Sequence, residues 1–147
     1  MPDTPTDAIT ILVAEDDTED RMLIERAMRK SRLANELRFV GDGEQLMDYL
    51  RQRNGYEDVP TPGLILLDLN MPRKDGREAL TEIKADEALK RIPVVVLTTS
   101  KADEDIARTY AEGANSFIAK PVSLDGLVEV MRTLGEYWFH IVRLPVS

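Results

Sequence analysis

Short apolar runs rich in β-branched residues alternate with stretches of helical periodicity along this chain. Ile9–Ala14 (ITILVA) predicts a first strand. The stretch TEDRMLIERAMRKSR that follows places Met22, Leu23, Arg26, Ala27 and Lys30 at helical spacing, with Thr18 as N-cap. Glu36–Gly41 predicts a second strand, and GEQLMDYLRQR a helix with Leu46, Met47, Tyr49 and Leu50 on one side. The segment NGYEDVPTPG carries the Pro and Gly of a loop. Leu64–Asp68 (LILLD) predicts a third strand, apolar throughout and so expected to be covered on both faces. GREALTEIKAD predicts a helix that buries Ala79, Leu80 and Ile83. A fourth strand is expected over Val94–Thr98, and a fourth helix over DEDIARTYAEG, with Asp103 as N-cap and Gly113 as its stop. SFIAKP predicts the fifth strand, and a last helix with an apolar tail begins at Ser123. This alternation defines an α/β domain with a parallel sheet. Right-handed crossovers put helices on both faces, and the active site of such a sheet is expected at the C-terminal ends of its strands.

The residues at those ends carry chemistry. Strand one runs into Glu15, Asp16 and Asp17, strand three into Asp68, strand four into Thr98 and Thr99, and strand five into Lys120. Clustered carboxylates repel each other and call for a cation between them. Their oxygens select hard Mg²⁺ (or Mn²⁺) over zinc. A carboxylate such as Asp68 can attack phosphorus to give an aspartyl phosphate. The metal, the Lys120 ammonium and the Thr98 hydroxyl would then take one phosphoryl oxygen each. An acid after a strand is more often a turn or cap residue, and that plainer role is expected for Asp17, Asp75 and Asp103. Asp68 alone would be assigned the same way. Three acids, a hydroxyl and an amine at four separate strand tips are much harder to assign to chance.

Composition narrows the rest. The 147 residues fit one domain. The net charge of −8 disfavours nucleic-acid partners and acidic membrane surfaces, which need clustered Lys and Arg. The absence of cysteine removes disulfides and thiolate metal sites, and fits a cytoplasmic protein. The start MPDTPTDAIT lacks the basic and apolar regions of a secretory signal, and no apolar run is long enough to span a membrane.

The motifs ILVAEDD, LILLDLNMPRKDG, PVVVLTTS and ANSFIAKP occur in this order. Together they resemble the receiver domain of two-component response regulators, over Ile9 to about Leu134. The resemblance implies the flavodoxin-like, doubly wound (βα)₅ fold, with a five-stranded parallel sheet in the order 2-1-3-4-5. It implies Asp68 as phospho-acceptor for a histidine kinase, with Mg²⁺ (or Mn²⁺) held by Glu15, Asp16, Asp68 and the backbone carbonyl of Asn70. It further implies Thr98 as switch hydroxyl, Lys120 as phosphate contact and Phe117 as switch aromatic. Such a protein signals through the face formed by its fourth helix, fifth strand and last helix, and is not an enzyme in the ordinary sense. Glu15 departs from the commoner Asp, which puts water between it and the metal, and Phe117 departs from the frequent Tyr. The insertion RQRNGYEDVPTPG, the string VLTTS and the tail YWFHIVRLP further resemble regulators that partner phytochrome histidine kinases. A phosphohydrolase working through an aspartyl phosphate is the alternative of a different class, but it needs a second acid where this chain has Asn70. A phosphorylation-independent interaction module would lack the acid pair or the lysine, and both are present.

Residues 1–8 read as a flexible lead-in, 9–134 as the receiver domain and 135–147 as a helical extension. No output domain is expected after the last helix, so the output is expected to be a protein contact or a further relay. Leu134, Trp138, Ile141 and Val142 fall on one helical side of the tail. That aromatic surface is expected to pair two copies symmetrically, together with the fourth helix, fifth strand and last helix. His140, flanked by Phe139 and Ile141, is expected to be packed or interfacial rather than a phospho-donor. A chain ending at Leu134 is therefore expected to sediment as a monomer. An unchanged dimer would remove the tail from the interface.

Overall fold

The structure is a computed structural model that describes residues 9–69, 76–98, 113–114, 116–119, 121 and 123–137; for Thr98 and Phe117 it describes the backbone only. Five strands form one parallel sheet: β1 (Ile11–Ala14), β2 (Leu37–Val40), β3 (Leu64–Leu67), β4 (Val94–Thr98) and β5 (Ser116–Ala119). Their order is β2-β1-β3-β4-β5, as expected. Three helices, α1 (Thr18–Lys30), α2 (Gly43–Leu50) and α3 (Gly76–Ala85), and a C-terminal helix (Leu124–Tyr137) accompany it. The expected fourth helix, at Asp103 to Glu112, lies outside the described residues, as do the tail from Trp138 and His140. Gly113, the expected stop, has φ +98°.

The sheet divides the core into two layers by the two-residue period of its strands. Leu12 and Ala14 of β1, Ile65 and Leu67 of β3, and Val94 and Val96 of β4 join the layer under α2 and α3. Ile11 and Val13, Leu64 and Leu66, and Val95 and Leu97 join the opposite layer, under α1 and the C-terminal helix. Every residue of β1 and β3 is buried. This explains why LILL is an unbroken apolar run rather than an alternating one.

The helices follow local signals. Leu46, Met47, Tyr49 and Leu50 of α2 are buried, and so are Ala79, Leu80 and Ile83 of α3, as expected. The start of α2 is a reciprocal cap: Gln45 N–H donates to Asp42 Oδ1 at 2.7 Å, and Gly41 N–H to Gln45 Oε1 at 2.7 Å. Helix α1 corrects two expectations. Its N-cap is Asp17, whose Oδ1 accepts from Asp20 N–H at 3.1 Å, and Thr18 is the first helical residue. Its buried residues are Ile24, Ala27 and Met28, while Met22 is half exposed. The C-terminal helix selects that face. Ser31 Oγ, at the end of α1, donates to Ala27 O (2.6 Å) and lies 3.3 Å from Val128 O across the contact. Leu134 is buried in the same layer, so it serves the domain's own core and not an outer surface.

Among the described residues no helix is long and apolar enough to cross a membrane. Leu66, 1% exposed at the centre of β3, tests the two-layer core. Leu66→Ala is expected to lower stability by about 2–5 kcal/mol through lost burial and a residual cavity. Urea denaturation should show this as a lower midpoint with an unchanged slope.

Candidate functional site

The site follows from the pairing of β1 with β3. Ala14 stands opposite Leu67 in register, so the next residues, Glu15 and Asp68, leave the sheet side by side. Asp68 N–H continues the ladder by donating to Ala14 O at 3.0 Å, and Glu15 N–H donates to Val40 O at 2.9 Å. Both acids are buried, Glu15 2% and Asp68 8% exposed, whereas Asp16 is exposed. One carboxylate oxygen from each of Glu15, Asp16 and Asp68 lies within 4.8 Å of the others.

This donor set fits a hard divalent cation. Oxygens bound to one such ion at about 2.0–2.1 Å stand about 3 Å apart when neighbouring and about 4.2 Å when opposite, so the trio would close in around the ion on binding. Among the described residues no nitrogen or sulfur ligand joins the cluster, which favours Mg²⁺ or Mn²⁺ over zinc. One water-exposed acid beside two buried ones leaves an open side for a further oxygen ligand.

The surrounding backbone fixes the acids. Glu15 Oε2 accepts from the N–H of Asp17, the N-cap of α1, at 3.1 Å. Glu15 O accepts from Arg21 Nε at 2.7 Å. On the other side, Gly76 opens α3 directly against the β3 tip, and its N–H donates to Leu69 O at 3.1 Å. A Cβ at position 76 would stand 2.5 Å from Asp68 O and 2.6 Å from Leu69 Cα. Only glycine permits this approach.

Thr98 ends β4, where its backbone pairs with Ala119 of β5, and Phe117 pairs with Val96. Asn70 and Lys120 lie outside the described residues, as does Asp75. Glu15, Asp16 and Asp68 are therefore brought together as expected, and Asp17 serves the helix start rather than the acid cluster. Arg21 and its bond to Glu15 O had no counterpart in the sequence expectations. Its signal was an arginine six residues after the first acid, which reads equally well as an ordinary helix residue.

Residues 11–132 match the family model of the response regulator receiver domain. The chain belongs to this family of signalling domains, which bind a divalent metal in an acidic pocket. Response regulator Rcp1 of Synechocystis sp. is 40% identical over 147 residues, 100% of both chains. FilR2 of Methanothrix harundinacea, described as a probable methanogenesis regulatory protein, is 40% identical over 139 residues, covering 95% of this chain and 89% of its own. Among solved structures, the phosphorylated cyanobacterial phytochrome response regulator RcpA is 43% identical, with a TM-score of 0.84 over 94% of this chain and 99% of its own. The Mn²⁺-bound form of Rcp1 is 41% identical, with a TM-score of 0.82 over the same 94% and 99%.

The acid trio has a measurable consequence. Asp16→Asn removes one of three crowded charges, so it is expected to raise the stability of the metal-free chain. The same change is expected to remove most of the stabilisation that Mn²⁺ gives the parent, about 2.7 kcal/mol when the metal is at about 100 times its Kd. Denaturation in EDTA and in excess Mn²⁺ checks both signs.

Proposed function

We propose that Asp68 is the phospho-acceptor of this response regulator. Mg²⁺ (or Mn²⁺) would be held by Glu15, Asp16, Asp68 and the Asn70 carbonyl. The observation that carries this is the meeting of the Glu15, Asp16 and Asp68 oxygens within 4.8 Å at two adjacent strand tips. A phosphorylated form of the similar protein RcpA and an Mn²⁺-bound form of Rcp1 lend it support. The bound metal neutralises the carboxylates and the charge that develops on one phosphoryl oxygen.

An Asp68 carboxylate oxygen forms its bond to phosphorus as the P–N bond of a kinase phosphohistidine breaks. The departing imidazole nitrogen takes up a proton. Asp68 is buried at the β3 tip, 8% exposed, with one carboxylate oxygen among those of Glu15 and Asp16, which restricts the geometries open to its carboxylate. The Thr98 hydroxyl and the Lys120 ammonium take the remaining phosphoryl oxygens. Their engagement draws in Phe117 and alters the face made by the fourth expected helix, β5 and the C-terminal helix. This is a local charge event read out by a two-state element.

The partner is a histidine kinase of the phytochrome type. RcpA, similar over 94% of this chain, is a phytochrome response regulator. Similarity to Rcp1 reaches through the tail, over the whole length of both chains, while FilR2 matches less of its own length. The receiver domain occupies 9–134 after a lead-in of eight residues, and the extension 135–147 joins the signalling face in a homodimer. The protein works in the cytoplasm as a signalling acceptor whose own site forms and slowly loses the phosphoryl group.

Incubation with acetyl phosphate and Mg²⁺, read by intact mass, tests the acceptor. The parent chain is expected to gain one phosphoryl group, EDTA to prevent it, and Asp68→Asn to stay unlabelled. Equal labelling of Asp68→Asn would reject the assignment.

A further inference from the structure

We propose that Arg21 is a positioning residue for the metal-binding acids, through its hydrogen bond to the main-chain carbonyl of Glu15. The inference rests on the metal and acceptor roles given above to Glu15, Asp16 and Asp68. Glu15 is gripped at three points. Its N–H bonds Val40 O at 2.9 Å, its Oε2 accepts from Asp17 N–H at 3.1 Å, and its carbonyl accepts from Arg21 Nε at 2.7 Å. The carbonyl of Glu15 and the N–H of Asp16 belong to one rigid peptide plane. Fixing that carbonyl sets the direction in which Asp16, the exposed member of the trio, leaves the chain. Without the bond this peptide plane loses one of the three restraints around it, and the Asp16 carboxylate is held less firmly beside Asp68.

The backbone N–H of Arg21 makes the first-turn bond of α1 to the carbonyl of the N-cap Asp17 at 3.0 Å, and its guanidinium is held separately. Arg21 Cζ lies 5.4 Å from the Phe39 ring centroid, a cation–π distance. Arg21 Nη2 stands 3.1 Å from where a Cβ at Gly41 would be, so the bare glycine leaves room for the fork. Phe39 and Gly41 flank the end of β2, which is hydrogen-bonded to β1. Arg21 thus ties the tips of two strands to the start of α1. A lysine can donate to the carbonyl but cannot also lay a planar fork against the ring.

Two opposite effects separate positioning from charge. A cation close to a metal site repels the metal, so a purely electrostatic role predicts tighter metal binding when Arg21 is removed. Positioning predicts weaker binding, because groups that orient a metal's ligands are typically worth about 10–100-fold in affinity.

The test is Mn²⁺ titration by electron paramagnetic resonance on the full chain, at a temperature where every variant is folded. Arg21→Met is expected to bind Mn²⁺ about tenfold or more weakly, and Arg21→Lys to recover part of the loss. Gly41→Ala keeps the arginine and its charge but crowds Nη2, and is expected to weaken binding by a smaller factor. Unchanged or tighter binding in folded Arg21→Met overturns the proposal. Should that variant fail to fold, unchanged binding in Gly41→Ala does so instead. Absence of Mn²⁺ binding by the parent chain would overturn the acid site itself, and the role of Arg21 with it.

Discussion

The parallel pairing of β1 with β3 is the interaction on which the rest of this molecule depends. The register of Ala14 against Leu67 puts Glu15 beside Asp68, and the bond from Asp68 N–H to Ala14 O holds them there. A slip of one residue would carry Asp68 about 3.3 Å along the strand and turn every core side chain to the wrong layer. Two separate hydrophobic layers oppose that slip, since each strand contributes alternate residues to both. The same packing that buries the sheet thus holds three like charges together at its edge.

The strands were legible because their apolar runs admit few other placements. LILLD and PVVVLT cannot lie in water, and the acid and threonine that end them mark one edge of the sheet. Helices α2 and α3 were legible from spacing, since the sheet that covers them lies on a single side. Helix α1 was read less well. Met22 and Leu23 fit a helical stripe, yet Ile24, Ala27 and Met28 are the buried set. The deciding partner is the C-terminal helix, about a hundred positions away, as the approach of Ser31 to Val128 shows. No local pattern encodes such a meeting. The cap followed the same logic at shorter range, because Asp17 and Thr18 are both good capping residues and only the geometry of Asp20 N–H chooses between them.

The acid trio was the most legible part of the site, since carboxylates at strand tips are visible once the strands are placed. The bonds that orient it were not. Arg21 donates to a main-chain oxygen, and a carbonyl acceptor leaves no trace in residue identity. The use of Glu15 Oε2 by Asp17 N–H is of the same kind. That bond closes a short loop between the carboxylate and the backbone where the chain turns from β1 into α1.

The close approach of Gly76 to Asp68 has a mechanical consequence. Helix α3 begins with no side chain between its first residue and the backbone of the β3 tip. Main chain rests there on main chain, so any larger residue at position 76 would push the start of α3 away from the residue that carries the acid.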